Sequence, residues 1–190
     1  MGLLALFRRK PLERPGFMLY GAAVAAARDP WFFGDAVGVP DTLDGRFNLV
    51  GLHAGALIRR LHRDADPRGA EAAQAVFDAM FADMDVNLRE MGVGDMSVGK
   101  RVKRMWEAFH GRAQAYEAAL DAGDRAALEA ALARNVWGAG PDAPTPPGVP
   151  ALAVQAERAA AALAAQPLEA LLRGEVHFPP TPGAAQSDAA

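Results

Sequence analysis

Cysteine is absent from this chain of 190 residues. Disulfides, thiol catalysis, iron–sulfur ligation and cysteine-based zinc sites are excluded with it. Serine is scarce: only Ser97 and Ser187 occur, and neither lies in a G-x-S-x-G elbow, so serine hydrolysis has no support. The four histidines, His53, His62, His110 and His177, show no HExxH or other paired spacing. A surplus of charge is missing too. Twenty bases against 23 acids give a net charge of −3, which argues against general phosphate neutralisation and so against a nucleic-acid binder. The longest uncharged, mostly apolar run, Pro15 to Ala27, is shorter than the ~20 residues that a spanning helix needs.

What is present favours helix. Alanine supplies 43 residues, and no stretch alternates convincingly with a period of two. The expected class is all-α: a single helical-bundle domain of about six helices around a central antiparallel hairpin. Residues 1–15 form a flexible N-terminal segment, and 16–137 a helical domain. A Pro-rich connection over 138–150 leads to a C-terminal helical segment, 151–178, and a disordered tail, 179–190. In residues 1–10, Leu3, Leu4, Leu6 and Phe7 precede Arg8, Arg9 and Lys10, the reverse of a secretory signal. They form either a frayed terminus or a contact with an anionic membrane surface.

The first helix is expected from Gly16 to Arg28, and Trp31, Phe32 and Phe33 lie in an ordered loop tucked into the core. Thr42 or Asp41 caps a second helix whose Phe47, Val50, Ala54, Leu57 and Leu61 share one face. Asp66 and Pro67 start a third, with Val76, Met80, Met84 and Leu88 in one row and Gly92 past its end. Ser97 caps a fourth, whose apolar stripe runs through Val98, Val102, Met105, Trp106, Phe109, Ala113, Tyr116 and Leu120 to Gly123. Asp124 caps a fifth.

Three motifs hint at chemistry and fall short. Gly94 to Lys100 fits G-x-x-x-x-G-K, but Arg101 stands where a phosphate loop needs Ser or Thr, and no strand precedes it. Glu107-x-x-His110 occurs once, where a di-iron bundle uses two such pairs. Asp83 and Asp85, two apart on a helix, point about 200° from each other and cannot share a metal. No metal site, catalytic residue or cofactor is therefore expected. Charge is more informative. Residues 71–95 carry six acids and one base, whereas 96–112 carry five bases and one acid. Joined at 92–97, these runs either neutralise each other across the hairpin or make a bipolar surface for a partner protein.

Residues 77–100 (FDAMFADMDVNLREMGVGDMSVGK), with Lys103, Phe109, Gly111-Arg112 and Ala115-Tyr116, resemble the ubiquinol-cytochrome c chaperone family. Residues 27–61 fit its N-terminal half through Pro30, Asp41-Thr42, Arg46-Phe47 and Arg60-Leu61; Phe33 stands where the family pattern has Tyr. The resemblance covers roughly residues 16–135. It implies a non-enzymatic assembly chaperone with newly made cytochrome b as its protein client and respiratory complex III as the product. With 17 Arg against 3 Lys, it also suggests a bacterial, cytoplasmic protein, peripheral at the inner face of the inner membrane. Asp83, Glu90, Asp95, Lys100 and Lys103 are the candidate partner-binding residues. Asp85, Arg89, Gly92, Gly94 and Arg112 support them, with Arg89 and Arg112 ion-paired within the fold. The competing reading is a small helical cofactor protein or enzyme, holding haem or phosphate through Lys100 and Arg101 at the Gly-rich joint with His53 or His110 as ligand.

Overall fold

The computed structural model describes residues 11–182, apart from the side chains at 95 and 96. All the regular secondary structure of the described residues is helical, and they contain no strand. Seven helices follow in order: α1 Glu13–Ala27, α2 Leu43–His62, α3 Pro67–Glu90, α4 Asp95–Ala122, α5 Arg125–Val136, α6 Val149–Ala164 and the single turn α7 Leu168–Leu172. A 3₁₀ turn, Pro30–Phe32, lies between α1 and α2.

Local chemistry sets most boundaries. The Thr42 hydroxyl accepts from Gly45 N–H at 3.1 Å, Asp66 from Arg68 N–H at 2.9 Å, and Asp124 from Ala127 N–H at 2.9 Å. Each satisfies one of the donors that a helix start leaves unpaired. Gly92 and Gly123 end α3 and α4 at φ of 78° and 62°, a region costly for any residue with a Cβ. Two starts differ from expectation. Helix α1 begins at Glu13 and takes in Pro15, whose missing N–H costs nothing in a first turn. Helix α4 begins at Asp95, because the Gly94 carbonyl already accepts from Ser97 N–H at 2.8 Å and Val98 N–H at 3.2 Å. Ser97 is thus inside the first turn and caps nothing.

The centre of the bundle is α2. It packs against α1, α3, α4, α5 and α6 and joins two apolar clusters. One gathers Phe32, Leu49, Leu128, Leu132 and Leu152; the other Leu19, Leu57, Leu61, Val76, Met80 and Leu163. Helices α3 and α4 do pack together, but α3 lies mainly on α1 and α2. Where α1 crosses α3, a Cβ on Gly16 would sit 2.7 Å from the Ala75 backbone, so glycine is what allows that approach. Helix α4 stands off from α2 and touches it through Phe109 and Ala113, which lie against Gly51 and Gly55. Trp106, read as part of the buried stripe, is 40% exposed for this reason.

The C-terminal segment is integral to the core, with Leu152 and Leu163 fully buried. Residues 179–182 are docked and not disordered. Gln155 Nε2 donates to the Pro179 carbonyl at 3.1 Å, and the buried Thr181 hydroxyl donates to Asp29 at 2.8 Å. The N-terminal apolar-basic run at 1–10 and the tail at 183–190 lie outside the described residues.

Candidate functional site

The gap left by the standing-off of α4 opens a cleft of about 530 Å³ between α1, α2, α3 and the N-terminal half of α4. Its apolar wall comes from all four helices: Val24 of α1, Phe47 and Val50 of α2, Met84 and Leu88 of α3, and Met105 of α4. Leu43 and Met91, 64% and 51% exposed, extend that apolar surface to the mouth. An apolar cavity of this size, open at its edge, is a common form for a binding site.

Arginine dominates the rim: Arg28, Arg46, Arg101, Arg104 and Arg112, against the carboxylates of Asp44 and Asp83. The Tyr20 phenol donates to Asp83 Oδ2 at 2.8 Å, and Asn87 Nδ2 donates to the Asp83 carbonyl at 2.8 Å. Burial, then the Asp83 carboxylate, pushes the Tyr20 phenol well above its ordinary range, so it remains a donor at any physiological pH. Arg112 donates to Asn48 Oδ1 and lies 5.9 Å from the Phe47 ring centre. The ion pair expected of Arg112 is replaced by this hydrogen bond to the Asn48 amide and by the cation–π contact, because Asn48 is a buried polar group within its reach. Arg46 is held by Asp41 at 2.6 Å and 3.0 Å and lies 5.5 Å from the Phe33 ring centre. Arg101 and Arg104 have no ion pair among the described residues and project from α4 beside the opening.

Of the residues singled out from sequence, Asp83 and Arg112 line this cleft. Asp85 and Arg89 form their expected i,i+4 pair at 2.6 Å. Glu90 is exposed at the end of α3, and Gly92 and Gly94 shape the joint. Lys100 and Lys103 are exposed on the outer face of α4, where Lys103 lies 3.9 Å from Glu107 on the same helix. The side chain of Asp95 lies outside the described residues. Sequence reading missed Arg28, Arg46 and Arg104 as site residues, and gave Arg101 only to the competing haem or phosphate reading. The last two were visible as bases at i,i+3 beside Met105, but only the fold brings Arg28 and Arg46 to them.

The acidic and basic runs of α3 and α4 are paired in part within their own helices, through Asp85–Arg89 and Lys103–Glu107. Helix α4 is instead tied to α2 by charge near its far end. Arg59 and Arg63 both reach Asp121, and Arg63 also lies 3.6 Å from Glu117. His53 and His110, the cofactor candidates, line a second cavity on the other flank of α4 and not the Gly-rich joint. No group of three or more His, Asp or Glu side chains placed to hold a metal occurs among the described residues.

Known proteins match over most of this architecture. The family model described as Ubiquinol-cytochrome C chaperone matches residues 35–178, about three quarters of the chain. A crystal structure of the Cbp3 homolog from Brucella abortus superposes with a TM-score of 0.79 at 37% sequence identity, covering 95% of this chain and 98% of that one. No curated protein matches. Both the extent of the family match and the identity over nearly the whole length agree: the chain belongs to the ubiquinol-cytochrome c chaperone family.

Proposed function

We propose that this chain is an assembly chaperone that holds newly made cytochrome b in the arginine-rimmed cleft and promotes its incorporation into ubiquinol-cytochrome c reductase. The observation that carries this reading is an open apolar cleft with adaptable walls, found in a member of this family. Met84 and Met105 have unbranched, polarisable side chains that can reshape against apolar groups of different size. Arg101 and Arg104 are free to meet client carboxylates or the carbonyl end of a client helix. Asp83, fixed by Tyr20, supplies one acceptor among these donors. Glu90, Lys100 and Lys103, exposed and not part of the cleft's lining, act on its field at longer range. Such a role needs no bond to be made or broken.

No helix among the described residues is long and apolar enough to cross a membrane. The client is a membrane protein, so we place the encounter at the inner face of the inner membrane, with this chain attached peripherally. Phe17 and Met18, nearly half exposed on α1, and the basic run Arg8 to Lys10 support that placement.

Affinity purification from native membranes tests the reading: cytochrome b is the expected co-purifying protein. Deletion of the gene is expected to lower complex III and its cytochrome b while sparing other respiratory complexes. Normal complex III in the deletion strain would remove the assignment, and equal loss of every complex would replace it with general membrane insertion.

A further inference from the structure

Most arginines among the described residues hold an acceptor, as Arg60 holds Asp64 and Arg125 holds Glu157. Arg14, Arg28, Arg101, Arg104 and Arg134 have neither a hydrogen bond nor an ion pair among the described residues. Three of these, Arg28, Arg101 and Arg104, line one cleft, the arginine-rimmed opening between α1, α2, α3 and α4. Arg28 follows the last residue of α1, and the other two are in the first three turns of α4, so they reach the rim from separate elements. The carboxylates of Asp44 and Asp83 leave the lining net positive. Gathering like charges costs Coulomb energy, and a bound anion removes that cost.

The same cleft has an apolar wall. Val24, Phe47, Met84 and Met105 are part of it, and Arg101 stands one helical turn from Met105. Guanidiniums at the rim of an apolar wall suit a molecule with an anionic head and a hydrocarbon body. Volume limits the body. A methylene is close to a water in size, and at ~30 Å³ per water the cleft of about 530 Å³ holds on the order of seventeen such groups, enough for one acyl chain and not for two. Exposed Leu43 and Met91 carry the apolar surface out to the mouth. Phe17, two turns before Val24 on the same face of α1, carries it further along that helix.

The arrangement of the arginines selects the head. A carboxylate holds two oxygens in one plane, whereas the oxygens of a phosphate point in several directions and can accept from guanidiniums carried by separate elements. A choline on that phosphate would set a cation beside the arginines, so a head with net negative charge fits better. We propose that the arginine-rimmed cleft binds an anionic phospholipid, with one acyl chain along its apolar wall and the phosphate at Arg28, Arg101 and Arg104. Such a site ties the chain to an anionic leaflet through a single lipid. The lipid occupies the cleft assigned above to the client, but its binding needs no client and is measured without one.

Three probes test it on the full chain at pH 7.5 by calorimetry: 1-lauroyl-lysophosphatidylglycerol, 1-lauroyl-lysophosphatidylcholine and glycerol 3-phosphate, with both lipids held below their micelle concentrations. The anionic lipid is expected to bind saturably at one site by 100 μM, at least tenfold tighter than either of the others. Its binding should shift the Met84 and Met105 methyl resonances and leave the Trp106 indole resonance in place. Arg101→Gln with Arg104→Gln should weaken the anionic lipid at least tenfold and the choline lipid less than twofold. Arg134→Gln, which removes an unpaired arginine of α5 outside the cleft, should change neither. All three arginines are exposed, so both variants should melt close to the parent. Equal affinity for the choline lipid, or no loss in the arginine double, would deny the arginines a role. Equal affinity for glycerol 3-phosphate would leave a phosphate site with no chain. Shifts at Trp106 in place of Met84 and Met105 would move the lipid to the other flank of α4, and no saturable binding would leave the cleft to a protein client or to water. Each of these outcomes overturns the proposal, and none of them decides the client pull-down. The probe comparison on the unmutated chain stands whether or not the double variant folds.

Discussion

The Tyr20 phenol donates to the Asp83 carboxylate at 2.8 Å, joining α1 to α3 at the wall of the arginine-rimmed cleft. The two residues are 63 positions apart, and their bond holds the Asp83 carboxylate in the wall of the cleft that α4 lines with its arginines. Tyr20→Phe should lower the unfolding free energy by about 1–2 kcal/mol, the range for a hydrogen bond to a charged group. Asp83→Asn keeps an acceptor for the phenol and should cost about half as much. Urea denaturation of both variants checks the order; a larger loss in Asp83→Asn would show that the carboxylate is held by something other than Tyr20.

The two apolar clusters meet on α2, so truncation there should be felt throughout the bundle. Leu57 is fully buried, and Leu57→Ala should cost about 2–5 kcal/mol. Val86, 52% exposed on α3, supplies the control: Val86→Ala should stay within about 0.5 kcal/mol. Thermal melts followed by circular dichroism separate the two. A small loss at Leu57 would mean that the space beside it collapses freely, which the contacts of α1, α3 and α6 on α2 argue against.

Much of this architecture was legible because its signals are local. Asp66-Pro67, Thr42 and Asp124 are caps that act within three residues, and Gly92 and Gly123 are turns that act on their own backbone. The row Val76, Met80, Met84, Leu88 is a periodicity, and all four are buried. The cleft was not legible in this way. Its Met wall could be anticipated, but its arginines come from α1, α2 and α4, and no spacing links Arg28 or Arg46 to Arg101. The same reason hid the seat of residues 179–182. Thr181 and Asp29 are 152 positions apart, and a Pro- and Ala-rich terminus carries no periodicity to announce that it docks. Arg112 was misread because a base near an acidic run invites an ion pair, whereas Asn48, a buried polar residue of α2, is the group that burial leaves in need of a donor.

His53 should make stability depend on pH with a definite sign. Its rings of contact are Phe32 and Phe178, and burial disfavours its charged form. The unfolded chain therefore binds a proton at this site more readily than the folded one below the ordinary value of 6.5. The contribution of His53 is complete above pH 6.5 and is lost as pH falls, by up to about 1.4 kcal/mol per pH unit. His53→Gln removes the titration. The difference in urea midpoint between the two proteins should widen in favour of the variant as pH drops from 6.5 to 5; a constant difference would show that His53 is protonated as easily in the fold as outside it.

Charge reversal on α4 separates the cleft from the outer face of the same helix. Arg101 and Arg104 line the cleft, whereas Lys100 and Lys103 are exposed on the face turned away from it. All four occupy the first three turns of one helix, so the Arg101→Glu/Arg104→Glu and Lys100→Glu/Lys103→Glu doubles change net charge equally and in nearly the same place. Neither pair is buried, and exposed charges affect folding by about 0.5 kcal/mol or less, so both variants should melt close to the parent. If the client sits in the cleft, reversing the arginines puts two carboxylates against the groups they would meet, and cytochrome b pull-down should fall at least tenfold at any salt concentration. Reversing the lysines acts only through the field at the mouth. It should weaken pull-down two- to threefold in 0.05 M salt, and the effect should fade in 0.3 M salt as screening shortens to ~6 Å. Equal losses from both doubles would place the client on the whole basic surface of α4, and a loss confined to the lysine double would move the binding site from the cleft to the outer face.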